Sequence, residues 1–359
     1  VGKSAARLQK GTMSKKNPNK KKSLLGRHIR RFLLMLVGWL ILLKIAFAGK
    51  IGISGVVSRS IARDIGGYTN IALFGVDSRE KELEKSTRSD TMIIASINNQ
   101  TGEVKMVSVY RDTYLDVGNG VFTKCNAAYA KGGPEQAIAM LNSNLDLNIT
   151  DFVTVGFGGL TQVINDVGGI TLDIQPEEIR PLNDYQISMV GTSSDGIHFT
   201  AQEGKDYTPI TQAGEQLCNG LQATAYCRIR YTAGNDFRRT QRQRTVINLT
   251  AQAIKKAGPL RWVQVGNDIR EWTYTSLDTG DMLGLMTKAM RYHIGETTGF
   301  PFPDKVATGH VGRSGSCVIP VNLVTNVQQL HAFLFGEQNY TPTQTVQNNS
   351  ARISRDTGH

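Results

Sequence analysis

Three short polar segments interrupt the apolar runs of this 359-residue chain and hold its candidate chemistry. The first pairs Asp77-Ser78-Arg79 with Arg88-Ser89-Asp90, and the second is Arg111-Asp112. The third runs from Arg228-Ile229-Arg230 to Asn235-Asp236-Phe237-Arg238-Arg239-Thr240-Gln241-Arg242-Gln243-Arg244. A guanidinium binds phosphate through a planar fork, so several forks converging would cradle a pyrophosphate. Asp77 and Asp90 are the acids best suited to a divalent cation, since Mg2+ is usually held by one or two carboxylates plus phosphate oxygens. Arg228 and Arg230, two apart, would share one face of an extended segment. Arg238 and Arg242 are four apart, as are Arg239 and Gln243, which makes two adjacent stripes on a helix. Against this stands ordinary Asp–Arg ion pairing within a structural network. The chain has no Ser-His-Asp order, P-loop or HExxH, and none of its six histidines lies in these segments, so a histidine base is not indicated.

These segments need elements to position them. Residues 70–76 read as a buried strand that ends at Asp77. Residues 91–97 and 103–109 read as two more strands, joined by a turn at 98–102 and followed by Arg111. Pro134 opens a helical pattern with Ala137, Met140, Leu141 and Leu145 at spacings of three and four. A strand at 152–155, a helix at 160–167 stopped by Gly168-Gly169, and a strand at 170–174 follow. Residues 176–212 are polar and turn-rich, as in an insertion or lid. Helices are expected over 217–227 and 239–257, a last helix over 321–335, and a polar, disordered tail over 337–359. Strands alternating with helices predict an α/β sheet with helices on its faces. In such sheets ligands bind beyond the carboxyl ends of strands, where the polar segments fall.

The formal charge of +11 is distributed unevenly. Residues 1–31 hold eleven of the 41 basic side chains and no acid, so the remainder of the chain is neutral. A protein that coats nucleic acid would spread its charge over a folded face, so that class is disfavoured. Residues 32–43 (FLLMLVGWLILL) carry no charge, and Lys44 can snorkel near a helix end. This predicts one transmembrane helix over 32–49, with a cleavable signal peptide ending near Ala46-Phe47-Ala48 as the competitor. The positive-inside rule places the basic tail 1–31 in the cytoplasm, and a linker (50–68) and a folded domain (69–336) outside. Residues before Met13 are set aside. Outside the cell Cys125, Cys218, Cys227 and Cys317 could form disulfides, but their spacing chooses no pairing and free buried thiols fit equally well.

Seven stretches in this order resemble one known family: NIALFGVDSR (70–79), TRSDTMIIASIN (87–98), SVYRDTYLDV (108–117), AYAKGGPEQAI (128–138), GLTQVINDVGGITLDI (159–174), GEQLCNGLQATAYCRIR (214–230) and DFRRTQRQR (236–244). Together they resemble the LytR–CpsA–Psr family over residues 69–260. The resemblance implies an extracytoplasmic α/β/α sandwich with a central mixed sheet, preceded by one N-terminal transmembrane helix in the cell membrane. It also implies a phosphotransferase that moves an anionic glycopolymer (teichoic acid, capsule or similar) from a polyprenyl-pyrophosphate carrier to peptidoglycan. The implied partners are that carrier-linked glycopolymer, peptidoglycan and membrane lipid, with no nucleic acid.

Carried over by position, Asp77 and Asp90 match the acids associated with Mg2+ (or Mn2+), and either could accept the proton of an attacking hydroxyl. Arg79, Arg88, Arg111, Arg228 and Arg230 match pyrophosphate-binding arginines; Arg239, Arg242 and Gln243 fall in the family's Arg/Gln-rich helix start. Asp77, Asp90 and Arg111 are the expected catalytic group, and Phe152, Phe157, Ile164, Val167 and Leu221 the expected lining of a lipid groove. The chain departs from the family at Tyr110, where Pro is frequent, and at Arg238, where Gly is common. It departs again at Lys124-Cys125-Asn126-Ala127, which replaces K-I-N-H. Arg238 leaves open whether it or Arg239 faces the ligand. The rival readings are a polyprenyl-pyrophosphate hydrolase, a non-enzymatic lipid or glycan receptor, and a transcription attenuator.

Overall fold

Continuous burial along the central strands, as in β-strands covered on both faces, decides how this chain packs. The computed structural model describes residues 66–76, 83–84, 88–230, 235–258, 261, 265–266, 272–288 and 290–359. The expected cytoplasmic tail, the membrane helix, most of the linker, Asp77 and Arg79 lie outside the described residues. Among the described residues no helix is long and apolar enough to cross a membrane.

The chain begins with β1 (Tyr68–Val76), β2 (Ser89–Asn98), β3 (Glu103–Val109), the short pair β4 (Tyr114–Asp116) and β5 (Phe122–Lys124), and α1 (Asn126–Leu145). It continues through β6 (Asp151–Gly156), α2 (Phe157–Asp166), β7 (Ile170–Ile174), α3 (Pro176–Val190), β8 (Gly214–Cys218), α4 (Gly220–Arg228) and α5 (Asn235–Ala257). The last elements are β9 (Thr273–Thr275), α6 (Thr279–Lys288), β10 (His293–Phe300), the hairpin β11 (Val306–Val311) and β12 (Gly315–Pro320), α7 (Leu323–Phe335) and α8 (Gln344–Thr357).

The main sheet runs β10-β3-β2-β1-β6-β9. β1 is antiparallel to β2 and parallel to β6, while β3 is antiparallel to β2 and parallel to β10. This is the mixed central sheet of an α/β fold. Ala72, Phe74, Val76, Met92, Ile94, Val107 and Val109 point to one face and share a core with α1, α7 and α8. The intervening Leu73, Gly75, Thr91 and Ile93 face the other side, toward α2 and α5, as the period of two requires. Because Val76 pairs with both Ser89 and Gly156, the ends of β1 and β6 meet the start of β2 at one edge of the sheet. Arg111 lies just beyond β3 at that same edge.

The turn expected at 98–102 forms with Gly102 at φ 77° and with Asn98 Oδ1 accepting the N–H groups of Gln100 and Thr101, each at 3.0 Å. Pro134 begins the main run of α1, directly after Gly132 and Gly133 leave helical geometry. Three expectations need correction. Residues 217–227 are not one helix. Residues 214–218 pair with β7, and Asn219 then starts α4 by accepting the Gln222 N–H at 2.9 Å in a capping box. Residues 176–212 are not wholly a lid, because 176–190 form α3, with Pro176 in its first turn and a Gln175–Glu178 capping box.

The tail 337–359 is not disordered. It contains α8, which inserts Val346 and Ile353 into the main core. The Asp146 carboxylate anchors it, accepting from Thr343 N at 2.7 Å, Thr343 Oγ1 at 2.6 Å and Tyr340 Oη at 3.0 Å. Only two apolar positions seven apart carry the packing, a stripe too narrow for composition to reveal. All four cysteines are free and buried. Burial pushes the Cys218 thiol up to about 11 and the Cys227 thiol up to about 12, which makes them unreactive.

Ile353 is 1% exposed, so Ile353→Ala should destabilise the folded protein by about 2–4 kcal/mol through loss of transfer energy and a residual cavity. Chemical denaturation measures this; a loss below about 0.5 kcal/mol, normal for an exposed site, would mean that α8 does not belong to the cooperative core.

Candidate active site

The first turns of α5 face the sheet edge where β2 begins, and this brings the scattered polar segments together. Asp90, the second residue of β2, uses each carboxylate oxygen for a different arginine. Oδ1 accepts from Arg111 Nη1 at 2.7 Å and Oδ2 from Arg230 Nη2 at 2.9 Å. Its backbone carbonyl accepts from Arg239 Nη2 at 3.2 Å. Asp236, in the first turn of α5, reaches Arg111 Nε at 3.5 Å and Arg239 Nη2 at 3.4 Å. Asp112 turns toward Lys124 at 3.5 Å and Arg111 Nε at 3.7 Å.

A cavity of about 230 Å3 opens beside this network, lined by Asp90, Phe157, Tyr185, Cys227, Arg228, Arg230, Arg239 and Gln243. Arg228 ends α4 and lies over the rings of Phe157 at 4.6 Å and Tyr185 at 5.3 Å, which orient its planar head. Arg239 is only 2% exposed, and its Nε and Nη1 have no hydrogen-bond partner. Gln243 Oε1, one turn further along α5, is also buried without a partner. Buried groups left unpaired cost free energy; the Arg239 nitrogens are donors and suit a ligand with acceptor oxygens, whereas Gln243 Oε1 is an acceptor and suits a donor such as a hydroxyl. Burial pulls Arg239 down to about 10, opposed by Asp236 and reinforced by Arg230 and Arg111; the group remains a cation near neutrality. Burial also pushes the Asp90 carboxyl up, but Arg111, Arg239 and Arg230 outweigh it and hold the group below its ordinary value.

A second, apolar cavity of about 240 Å3 adjoins the first, sharing Phe157, Cys227 and Gln243. Leu73, Ile93, Val153, Val155, Leu160 and Ile247 supply most of its wall. Of the five residues expected to line a lipid groove, Phe157 does so. Phe152 points to the opposite face of the sheet, and Ile164 packs in a separate core against α4. Val167 lines a different depression, and Leu221 is absent from this wall. The wall comes instead from the strand positions that alternate with the main core.

The structure therefore gathers Asp90, Arg111, Arg228, Arg230, Arg239 and Gln243, whereas Asp77 and Arg79 lie outside the described residues. Arg88 is exposed and does not line the cavity. Arg242 also faces away, which corrects its expected place among the ligand-facing residues. It pairs with Glu178 of α3 at 2.7 Å and donates Nη1 to the Ile229 carbonyl at 3.1 Å, with both charged groups 4% exposed. By gripping the residue between Arg228 and Arg230, it fixes where those two guanidiniums can reach. The choice between Arg238 and Arg239 also resolves. Arg239 faces the cavity, and Arg238 extends outward to Glu177 at 3.7 Å. The bridging role of Asp236 was not foreseen, although its spacing of three from Arg239 on a helix is a signal for it.

Among the described residues no cluster of three or more His, Cys, Asp or Glu side chains could hold a metal by itself. Each Asp90 oxygen accepts one guanidinium bond and so retains a second lone-pair site. A hard cation at Asp90 would need its remaining ligands from elsewhere, phosphate oxygens included.

Because the folded state depresses the Asp90 carboxyl below its reference value of 3.8, its contribution to stability is present above that value and is lost as pH falls through the folded pKa. The stability gap between wild type and Asp90→Asn should thus be largest near neutral pH and shrink in acid. Denaturation midpoints measured across pH check this; a gap that stays constant into strong acid would contradict the ion-paired state.

Similarity to known proteins agrees with this geometry. The chain is 32% identical over 187 residues to the polyisoprenyl-teichoic acid–peptidoglycan teichoic acid transferase TagU of Enterococcus faecalis, covering 52% of this chain and 53% of that protein. The chain spans about half the length of the curated relatives it matches. Its fold is similar to the crystal structure of protein gbs0355 from Streptococcus agalactiae, with TM-score 0.60 and 24% identity over 81% of this chain and 93% of that one. It is also similar in fold to Bacillus subtilis TagT (YwtF) with bound octaprenyl pyrophosphate lipid, with TM-score 0.53 and 16% identity over 87% of this chain and 100% of that one. Residues 54–306, well over half of the sequence, match the model of the LytR_cpsA_psr family, and the chain belongs to that family.

Proposed function

We propose that this protein is a membrane-anchored phosphotransferase that moves an anionic glycopolymer from a polyprenyl-pyrophosphate carrier to peptidoglycan. One observation carries the reading: a buried, partly unpaired arginine cluster opens directly into an apolar pocket. Such a pair of cavities matches a ligand with a doubly charged head and a hydrocarbon tail. The name of the Enterococcus relative and the octaprenyl pyrophosphate bound to TagT support the same class of ligand.

In this scheme Arg111, Arg228, Arg230 and Arg239 hold the diphosphate, and Leu73, Ile93, Val153, Val155 and Ile247 contact the first isoprene units. Gln243, which lines the cavity, would add a contact, and Arg79 and Arg88 stay further candidates for the diphosphate from the family resemblance alone. Asp90 and Asp77 would hold a Mg2+ (or Mn2+) ion, which when bound supplies charge neutralisation at the phosphate oxygens. An acceptor hydroxyl of peptidoglycan attacks the glycopolymer-side phosphorus, and the bond from that phosphorus to the bridging oxygen breaks. Polyprenyl phosphate leaves with the bridging oxygen. The hydroxyl proton passes to a base other than Asp90, whose ion-paired carboxylate is too weakly basic for the task. Phosphoryl transfer depends on positioning and on neutralising charge at the equatorial oxygens, which fixed guanidiniums supply without reorganising. Residues 32–49 would anchor the chain in the cell membrane beside its lipid-borne donor, with residues 1–31 cytoplasmic and the catalytic domain extracellular.

A reconstituted assay with the full chain, a lipid-pyrophosphate glycan, peptidoglycan and Mg2+ tests the reading. Arg111→Ala, Arg230→Ala and Arg239→Gln should each lower transfer by about 10²–10³-fold, the usual cost of removing one fixed donor to a developing charge. Equal linked product from all three variants would overturn the site. Release of unlinked polymer with no ligation would identify a hydrolase.

A further inference from the structure

Three residues stand in the walls of both the charged and the apolar cavity: Phe157, Cys227 and Gln243. Phe157 is the aromatic one, and it carries a site arginine on its ring. The head of Arg228 lies 4.6 Å from the centre of that ring and 5.3 Å from the centre of the Tyr185 ring. Tyr185 borders the charged cavity but not the apolar one, so the two supports of Arg228 differ. One meets only what fills the head cavity. The other also meets what fills the tail cavity.

The backbone on each side of this contact is held in place. Phe157 is the first residue of α2, and Gly158 and Gly159 follow it. A Cβ at Gly158 would come to 2.7 Å of the Trp272 ring, and one at Gly159 to 2.7 Å of the Trp272 Cβ, so bare backbone is required where α2 starts. Thr273, next to that tryptophan, pairs with Val155, and both line the apolar cavity. These contacts tie the root of the Phe157 side chain to the main sheet. Arg228 ends α4, and Arg242 grips the carbonyl of Ile229, the residue that follows. With both backbones set, the attraction between ring and guanidinium depends on the medium around it. A cation over an aromatic face is held more strongly when water is removed from the pair. Phe157 is half-buried, so hydrocarbon in the apolar cavity would take water from its ring.

We propose that Phe157 couples the two cavities: a hydrocarbon tail packed against its ring strengthens the hold on Arg228, so the site selects diphosphates carried on a lipid over soluble ones. The inference rests on the transfer reading above and names the residue through which the carrier's tail acts on its head group. Arg111, Arg230 and Arg239 are tied to Asp90 through its carboxylate or its carbonyl. Among the described residues Arg228 is the one of the four with aromatic rings against its guanidinium. It is therefore the arginine whose placement answers to a tail. A soluble diphosphate fills the charged cavity and leaves the Phe157 ring wet. A lipid-borne one dries the ring and gains a better-fixed Arg228 as well. Phe157 is a positioning residue for the head group and a wall for the tail.

The test is a double-substitution cycle on the full chain in detergent, read by calorimetry with farnesyl pyrophosphate and with inorganic pyrophosphate. Wild type, Phe157→Leu, Arg228→Gln and the double variant are compared. With farnesyl pyrophosphate the double variant should lose at least about fivefold less affinity than the product of the two single losses. With inorganic pyrophosphate the losses should combine to within about twofold of that product. Phe157→Tyr, which keeps the ring, should retain the coupling, and Phe157→Met takes the place of Phe157→Leu if the latter does not fold. Equal coupling with both ligands would overturn the inference, by reducing Phe157 to a fixed support for Arg228. Independent losses with farnesyl pyrophosphate would overturn it too. In either result wild type still binds the lipid diphosphate, so the transfer reading stands. Failure of wild type to bind farnesyl pyrophosphate would overturn both.

Discussion

Mutual repulsion among four arginines is the constraint on which this site depends. Arg111, Arg228, Arg230 and Arg239 come from three separate stretches of chain, and like charges brought together in a half-buried cavity repel strongly. Asp90 resolves this with one carboxylate, one oxygen for Arg111 and one for Arg230, while its carbonyl reaches Arg239. Asp236 adds a second bridge between Arg111 and Arg239. The two acids hold the cluster without cancelling it. Positive charge remains in excess, Arg239 lines the cavity, and two of its nitrogens are left without hydrogen-bond partners.

The acids can do this only because the scaffold brings them to one edge. β2 begins where β1 and β6 end, and α5 starts above that point. Helix α5 is in turn fixed by the buried Arg242–Glu178 pair, which ties it to α3 and to the Ile229 carbonyl. A buried pair of this kind is weak evidence for net stability, since desolvation offsets much of its attraction. Its value here is positional, because it sets the register of the residues that flank Ile229. The same helix lines the charged and apolar cavities on one flank and a separate groove on the other.

Much of this was legible in the sequence, and the failures have physical reasons. The strands over 70–76, 91–97 and 103–109 were visible because their apolar runs end in turn residues. Asp90, Arg111, Arg228, Arg230 and Arg239 were visible because charged residues gathered at the ends of apolar elements point to a sheet edge. Arg242 misled because it is three residues from Arg239, near enough around the helix to look ligand-facing, and only Glu178 on a distant segment shows which way it turns. The lipid-pocket wall was misassigned for a related reason. Apolar strand residues such as Phe152 and Val153 look equally buried, and the covering layer on each face decides which of them meets a cavity. Helix α8 was hidden by its polar composition, since two inward residues and a distant aspartate do the anchoring.

The most direct test of the central claim is the affinity of the full chain for farnesyl pyrophosphate, farnesyl monophosphate and farnesol, measured by calorimetry for wild type and Arg239→Gln. Charge clustered by Asp90 beside an apolar pocket predicts that the pyrophosphate binds most tightly and farnesol least. It also predicts that Arg239→Gln weakens pyrophosphate at least tenfold while leaving farnesol unchanged. Equal affinity for the three ligands, or an Arg239→Gln variant that binds pyrophosphate as wild type does, would contradict the account.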